Sequence, residues 1–402
     1  MIPRRHFARR DFVKLAASVG AITAVSPQAG AENDAAAPDA GSQVKWKAAI
    51  IGHTGRGNYG HSLDMALAHR ADVSLAAVAD AHEAGRAKTA ARFPEARAFA
   101  DYRAMLAEAA PQLVVVAPRH ADQHHAMALA ALRAGAHVYC EKPFTVSLSE
   151  ADELLAEAGA RGLKIAVAHQ MRLQPDVVEL KKRWEAGEFG DLIELRAWGK
   201  QDTRAGGEDL MVLGTHLFDL MRLFGGGVEW VAARMRQDGR PVTPQDARVP
   251  TDNVGPVAGD EVFAQFSFQS GVMGTFTSHQ ALRASVGRWG LELRGSKGAA
   301  RLCTDIPTEV FVEESGKWSA AGRTLAWKKP AWAAPPPAEP FIDANRRVVD
   351  DWLAAIEESR EPQCSGANGM KAVEMVMAVY HAALRGQRVA LPLPERAHPL
   401  AG

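Results

Sequence analysis

The chain has 402 residues, too many for one ordinary hydrophobic core and enough for two domains. Its 47% hydrophobic and 23% charged residues describe a soluble globular protein, and 47 Lys+Arg against 47 Asp+Glu gives no reason to expect a nucleic acid or other polyanionic partner. Three cysteines (Cys140, Cys303, Cys364) are too few for a disulfide framework, and no zinc or other metal site is expected.

The first 31 residues differ from the rest. Arg9-Arg10-Asp11-Phe12-Val13-Lys14 precedes an apolar stretch at 15–25, and Ala29-Gly30-Ala31 offers small residues for cleavage before Glu32. A charged start, a short apolar middle and a small-residue end read as a secretory signal, too short to span a membrane stably. The paired arginines resemble the twin-arginine export signal. The expectation is a folded, exported, periplasmic protein with no membrane anchor after cleavage. Removal of 1–31 takes away five basic residues and one acidic one, leaving 42 against 46. Residues 32–44, small and polar, read as a disordered tether.

From residue 45 to 168 strands and helices alternate. Strands are predicted at 46–51, 73–79, 113–117, 138–140 and 165–168, with helices at 61–69, 83–92, 101–109, 121–134 and 147–160. That rhythm means a parallel sheet. After 170 it changes: helices at 175–186 and 209–224 are interleaved with strand-like runs at 192–199, 228–236, 261–268, 272–278, 288–294, 299–303 and 308–313. The second unit, 169–340, is therefore α+β on a largely antiparallel sheet. Helices at 342–358 and 368–385 lie in a closing segment, 341–402, expected to pack back on the first domain or the junction.

The first predicted strand runs into Gly52-His53-Thr54-Gly55-Arg56-Gly57-Asn58-Tyr59-Gly60. A glycine-rich loop between strand and helix lets backbone N–H groups approach a pyrophosphate. Asp80, 23 residues past Gly57 at the end of the second strand, is placed to accept from a ribose 2′-OH and to repel a 2′-phosphate. This favours NAD over NADP, although Arg86 leaves room for the latter. Lys142, in Tyr139-Cys140-Glu141-Lys142-Pro143, stands at the carboxyl end of a later strand of the same sheet, where such sheets hold their ligands. A cation there can act as general acid or base toward a hydroxyl that loses hydride; the alternative is a solvated lysine before a turn. His120, His124 and His125 cluster without a third ligand at metal spacing, so His120 reads as a helix-start residue facing a cofactor. His169, Gln170 and Arg172 either bind substrate hydroxyls or cap a strand, and His279 is a weaker candidate.

With that loop, Asp80, Ala117-Pro118-Arg119-His120, Glu141-Lys142-Pro143 and Gly214-Thr215-His216-Leu217-Phe218-Asp219 in one order, the chain resembles the Gfo/Idh/MocA family from about 45 to 395. The resemblance implies a Rossmann dinucleotide-binding domain followed by an open-faced-sheet domain that commonly serves in oligomer contacts. It implies hydride transfer between a nicotinamide cofactor and a sugar, cyclitol or related polyol. It places Gly52, His53, Thr54, Gly55, Arg56 and Gly57 at the pyrophosphate, Asp80 at the ribose, and Pro118, His120, Glu141 and Lys142 near the nicotinamide. His216 matches the catalytic-site histidine, with Asp219 three residues on as a substrate-binding candidate.

One departure matters. Members of the family typically carry an aspartate four residues before that histidine, and Val212 stands there. Asp209, two helical turns before His216, could supply the carboxylate or could serve as a cap. Export adds a constraint, because a periplasmic enzyme lacks the cytosolic partners that recycle NADH. The cofactor is expected to stay bound, with the redox cycle closing on the enzyme. Two alternatives follow: a redox-neutral glycoside hydrolase or lyase acting through a transient keto sugar, and a non-catalytic NAD-bound binding protein. A homo-oligomer through the second sheet is expected.

Overall fold

The computed structural model describes residues 44–280, 289–304, 306–313 and 327–401. The signal read at 1–31 and nearly all of the tether read at 32–44 lie outside them. Six strands, β1 (Trp46–Gly52), β2 (Val73–Asp80), β3 (Arg97–Phe99), β4 (Leu113–Val116), β5 (His137–Cys140) and β6 (Ile165–Val167), form one all-parallel sheet. Its order is β3-β2-β1-β4-β5-β6, the doubly wound arrangement. Helices α1 (Glu83–Arg92), α2 (Tyr102–Ala109), α3 (His124–Arg133) and α4 (Leu148–Ala160) connect consecutive strands from β2 onward. Leu113-Val114-Val115-Val116 is buried at every residue, as a central strand covered on both faces must be. Ser147 starts α4 by accepting from the Glu150 N–H.

The segment between β1 and β2 departs from the sequence expectation. Instead of an α-helix at 61–69 the chain makes turns around one three-residue 3-10 segment, Leu63–Met65. Leu63, Ala66 and Leu67 are still buried, so the apolar spacing was real, but Asn58, Ser62 and Gly60 at positive φ break a regular helix before it can nucleate.

The second sheet holds β7 (Leu192–Trp198), β8 (Val228–Gln237), β9 (Arg240–Pro241), β10 (Glu261–Phe268), β11 (Met273–His279), β12 (Gly290–Gly295), β13 (Ala299–Cys303), β14 (Glu309–Glu313) and β15 (Val389–Ala390). Its order is β14-β13-β12-β7-β11-β10-β8-β15, with β9 on β8. Among these strands only the β7–β11 pair is parallel. Around it stand α5 (Pro175–Glu185), α6 (Gly207–Val212), α7 (Gly214–Gly225), α8 (Pro340–Glu357) and α9 (Gly366–Arg385). One face of the sheet packs on α7 and α9, where Phe218 sits 5.0 Å from Phe266 and 5.4 Å from Phe276 between ring centroids. The other face presents Phe263 and Met273 and a cross-strand row Arg196, Glu292, Arg301.

The closing helices divide their work. Val348, Val349, Trp352 and Leu353 of α8 pack with Ala48, Ile50 and Val115 on the first-sheet face that the missing helix would have shared. Helix α9 contributes Val376, Met377 and Tyr380 to the core of the second sheet. The predicted single helix at 209–224 is broken at Leu213 into α6 and α7.

Candidate active site

The site is built at the carboxyl ends of the parallel strands. Two hollows lie there. One, about 480 Å³, is walled by Gly52, His53, Arg56, Asp80, Asp101, Arg103, Asp122 and Gln123. It lies over β1 and β2 at the point where strand order reverses, the place a dinucleotide takes in such sheets. The other, about 160 Å³, is lined by His61, Arg119, Lys142, Gln170, Lys200, Arg204, Val212, Leu213, His216, Asp252 and Trp289, among others.

In the larger hollow the glycine loop differs from the expected anion cradle. His53 and Asn58 exchange backbone hydrogen bonds, Arg56 N–H donates to His53, and Gly55 N–H donates to the Asn58 side chain. Thr54 donates to Asp80 through both its N–H and its Oγ1, the latter at 2.6 Å. These amides are therefore spent within the protein, and no α-helix N-terminus stands behind them. Gly57, at φ +88°, is needed for packing: a Cβ there would lie 2.6 Å from the Arg119 and His120 nitrogens.

Asp80 also accepts from Tyr59 OH at 3.0 Å and from His82 N–H at 2.9 Å. Burial pushes its pKa up, but the hydrogen bonds from Thr54, His82 and Tyr59 prevail and the net shift is down. A carboxylate has about four acceptor sites, and Asp80 fills them internally. Its expected ribose contact would have to displace one of these donors. Asp101, exposed on the wall of the same hollow, caps α2 by accepting from Arg103 N–H at 2.8 Å and was not singled out in the sequence. The hollow's size, its position at the strand-order reversal and its mixed carboxylate and guanidinium lining fit a dinucleotide, with Arg103, and Arg56 once it exchanges its partner Asp122, the cations for its phosphates.

Lys142 reaches the smaller hollow, the substrate chamber of this reading. It is 6% exposed, and its Nζ donates to the Val212 carbonyl at 3.3 Å. Val212 ends α6, where helical carbonyls lack an intrahelical partner. A main-chain oxygen thus stands where the family resemblance called for an aspartate. Burial lowers the Lys142 pKa below its ordinary value, with Glu141 and Asp252 opposing the shift. The Lys142–Pro143 peptide is cis.

His216 also lines the chamber, 4% exposed, with no hydrogen-bond partner on Nδ1. Burial, then Lys142 and His169, drive its pKa well down, so it is a neutral imidazole. His169 packs edge-on behind it, ring centroids 5.5 Å apart. Burial brings His169 to about 4 against the pull of Asp219, whose carboxylate lies 4.0 Å away. Asp219 is held bidentately by Arg172, at 2.9 and 2.6 Å. Burial would raise its pKa, but Arg172 and His169 bring the net shift down.

His169, Arg172 and Asp219 therefore lie behind the chamber wall and not on it, positioned to steady His216. Glu141 is fully buried and pairs with His61 rather than facing either hollow. Burial pushes its pKa up, yet His61 and Lys142 bring it to about 2. Pro118 presents its carbonyl to His124 Nε2 at 2.6 Å, and His124 Nδ1 lies 2.8 Å from the Pro143 carbonyl. His120 contacts Asn253 at 3.0 Å and lines neither hollow. Asp209 is also absent from the chamber. Its carboxylate accepts from Ser278 Oγ at 2.8 Å and Gln201 N–H at 3.2 Å, and the break at Leu213 removes the shared helical face that would have aimed it. Among the described residues no cluster of His, Cys, Asp or Glu could hold a metal ion.

Two family profiles match this chain. The first, the NAD-binding Rossmann fold of the GFO_IDH_MocA oxidoreductase family, spans residues 46–169; the second, that family's C-terminal alpha/beta domain, spans 180–391. The chain belongs to this family. It is an NAD(P)-dependent oxidoreductase of the Gfo/Idh/MocA type, with a nicotinamide cofactor. D-apiose dehydrogenase of Paraburkholderia graminis is 26% identical over 75% of this chain and 79% of its own. Levoglucosan dehydrogenase of Pseudarthrobacter phenanthrenivorans is 24% identical over 78% of this chain and 89% of its own. Among solved structures, a levoglucosan dehydrogenase complexed with NADH and L-sorbose superposes with a TM-score of 0.69 at 22% identity, covering 86% of this chain and 99% of that one. An aldose-aldose oxidoreductase from Caulobacter crescentus gives 0.67 at 21%, over 86% and 100%. These superpositions establish the shared fold: a Rossmann-type parallel sheet followed by an α/β domain on a mixed, largely antiparallel sheet.

Proposed function

We propose that the protein oxidises a secondary hydroxyl of a sugar or related polyol, with Lys142 as the proton-transfer group. The observation that carries this reading is a buried amine, held by one main-chain carbonyl, on the wall of a chamber it shares with a neutral histidine. Bound in the larger hollow, a nicotinamide supplies the hydride acceptor. Lys142 in its neutral form takes the hydroxyl proton, and the resulting ammonium is stabilised by the Val212 carbonyl and the nearby Asp252 charge. His216 orients the hydroxyl through a ring nitrogen. Val212, Leu213 and Trp289 keep water from the reacting carbon.

Lys142→Ala should cut turnover by orders of magnitude and leave cofactor binding intact, measured by initial rates beside fluorescence titration with NADH; normal turnover would refute the assignment. A base must be deprotonated, so the rate should rise with pH through a pKa below the 10.5 of a free lysine. Val212→Asp places an opposite charge beside the amine and should move that limb to higher pH.

NAD is favoured over NADP by Asp80 and Asp101 on the wall of the larger hollow, which would repel a 2′-phosphate, Asp122 there being paired with Arg56. Two separate proton-transfer groups on one chamber, Lys142 and His216, favour a second reading: transient oxidation, elimination and re-reduction, with no net redox change. Product analysis separates the two, since a free keto sugar counts against the second and glycosidic cleavage without net NADH establishes it.

Export belongs to the proposal through its N-terminal sequence alone. Replacing Arg9 and Arg10 with lysine should retain the protein in the cytoplasm, as scored by fractionation. The outward face of the second sheet, with Phe263 and Met273 beside a row of both charge signs, suits a second copy of the chain. Phe263→Arg should lower the mass seen by sedimentation.

A further inference from the structure

The chamber is lopsided in charge. Three cations line it (Arg119, Lys200 and Arg204) beside the Lys142 amine, which acts in its neutral form, and one carboxylate, Asp252, faces them. Arg119 lies 3.6 Å from one Asp252 oxygen and Arg204 lies 3.6 Å from the other. Both distances are beyond ordinary hydrogen bonding, so a single carboxylate is shared loosely between two guanidiniums. Each guanidinium carries five N–H donors, and Asp252 does not satisfy them. Arg204 is held from behind by Asp202 at 3.0 Å, and this contact raises its pKa despite partial burial. It is therefore a fixed charge on a braced side chain. Lys200 also rests near Asp202, at 3.6 Å; Asp202 offsets part of the charge of both from outside the lining, where cations still outnumber carboxylates.

A neutral polyol does not call for this arrangement. Its hydroxyls each donate and accept, and they need a balanced wall. Here the acceptors are fewer than the donors: Asp252, Gln170 and a ring nitrogen of His216, beside the Val212 carbonyl already engaged by Lys142. A group that only accepts, and carries negative charge, uses what the wall offers. Two planar guanidinium forks match a carboxylate in particular, through paired N–H···O bonds. A concave site of one sign also concentrates ligands of the opposite sign.

We infer that the substrate is a sugar acid, its carboxylate held by Arg119 and Arg204 while the hydroxyl to be oxidised lies at Lys142. This rests on the reading of the smaller hollow as the substrate chamber. The oxidation is unchanged by it: hydride goes to the nicotinamide, the hydroxyl proton to Lys142, and the carboxylate stays intact.

Binding is the test, because it does not depend on turnover. Calorimetry on the full chain saturated with NAD compares glucuronate, galacturonate and mannuronate with glucose, galactose and mannose, and includes glucose 6-phosphate. At least one uronate should bind on the order of 10- to 100-fold more tightly than its neutral counterpart, the range expected for hydrogen bonds to a charged group. Arg119→Gln and Arg204→Gln should each erase most of that preference, weakening uronate binding far more than hexose binding. Should either variant fold poorly, salt gives a second readout on the unaltered protein: uronate affinity should fall with ionic strength and hexose affinity should not. Equal binding of uronates and hexoses, a preference that survives both substitutions, or tighter binding of the sugar phosphate would each overturn the inference. Tight uronate binding with no cofactor reduction would instead sink the oxidoreductase reading of this chamber and leave the binding assignment standing.

Discussion

The two hollows are made in opposite ways. The dinucleotide hollow is local: its walls come from the ends of neighbouring strands and the turns after them, and its key carboxylate, Asp80, is saturated by Thr54, Tyr59 and His82 from the same half of the sheet. The chamber is assembled from distant pieces: Arg119 after β4, Lys142 after β5, Arg204 after β7, Val212 at the end of α6 and Asp252 in the loop before β10. One is rich in carboxylate and the other in cations. The contrast teaches that the part common to many relatives can be fixed by short-range geometry, whereas selectivity for a particular substrate is left to loops that vary independently.

The sharpest break in that comparison is Lys142→Ala, expected to cost about 10²- to 10⁴-fold in turnover, the range for losing a general acid–base group, with NADH affinity unchanged. Next is the buried pair behind His216. Arg172→Met leaves Asp219 charged and unpaired, and should cost about 3–5 kcal/mol of stability in denaturant titration. Its activity loss should exceed that of an equally destabilising core substitution if the pair positions His216.

Acid should act through the same cluster. The folded-state pKa of His169 is lowered from 6.5 to about 4, so between those values the unfolded chain binds a proton that the folded chain refuses. The stability is fully present above pH 6.5 and is lost as pH falls toward 4, by about 3 kcal/mol at about 1.36 kcal/mol per unit. Glu141, lowered to about 2, adds to the loss only below its ordinary 4.5. His137 and His398, also lowered to about 4 by burial, add to the same window, so a slope that His169→Gln leaves unchanged would refute the buried neutral state of His169.

Asp209→Asn should cost about 1–3 kcal/mol with kcat preserved, since its carboxylate ties Ser278 to the chain after β7 and touches no substrate. A large loss in kcat would restore it to the catalytic group. The smallest effect is expected at the dinucleotide hollow. Asp101→Ala should narrow the preference for NAD over NADP by roughly tenfold, about the value of one exposed charge contact in a partly solvated cleft.

The parallel sheet was legible because its strands are short apolar runs and its helices carry strong signals; α1 falls on the predicted 83–92. β3 escaped notice because Arg97 and Ala98 are exposed on an edge strand that pairs on one side only. Leu63, Ala66 and Leu67 had helical spacing, yet the positive-φ residues around them favour turns, and propensity lost to loop geometry. Lys142 and His216, singled out from their motifs, both line the chamber. Arg204, Lys200 and Asp252 were not, since they come from separate loops and no spacing joins them. Arg119 stood inside the quoted Pro118-Arg119-His120 and was passed over in favour of its neighbours. His169, Arg172 and Asp219 were picked out as substrate contacts and stand one layer back, because the bidentate pair turns Arg172 away from the chamber.

The hold on Lys142 is written in no side chain. Because its acceptor is the Val212 oxygen, every residue type placed at 212 would offer the same atom, and a substitution there would act only through its side chain's charge or bulk in the chamber. The interaction can be removed only by moving the bend at Leu213 and Gly214 that separates α6 from α7. Relatives compared letter by letter at this column would be sorted by whether they own an acid, and this chain would be filed among the defective ones while its amine remains anchored.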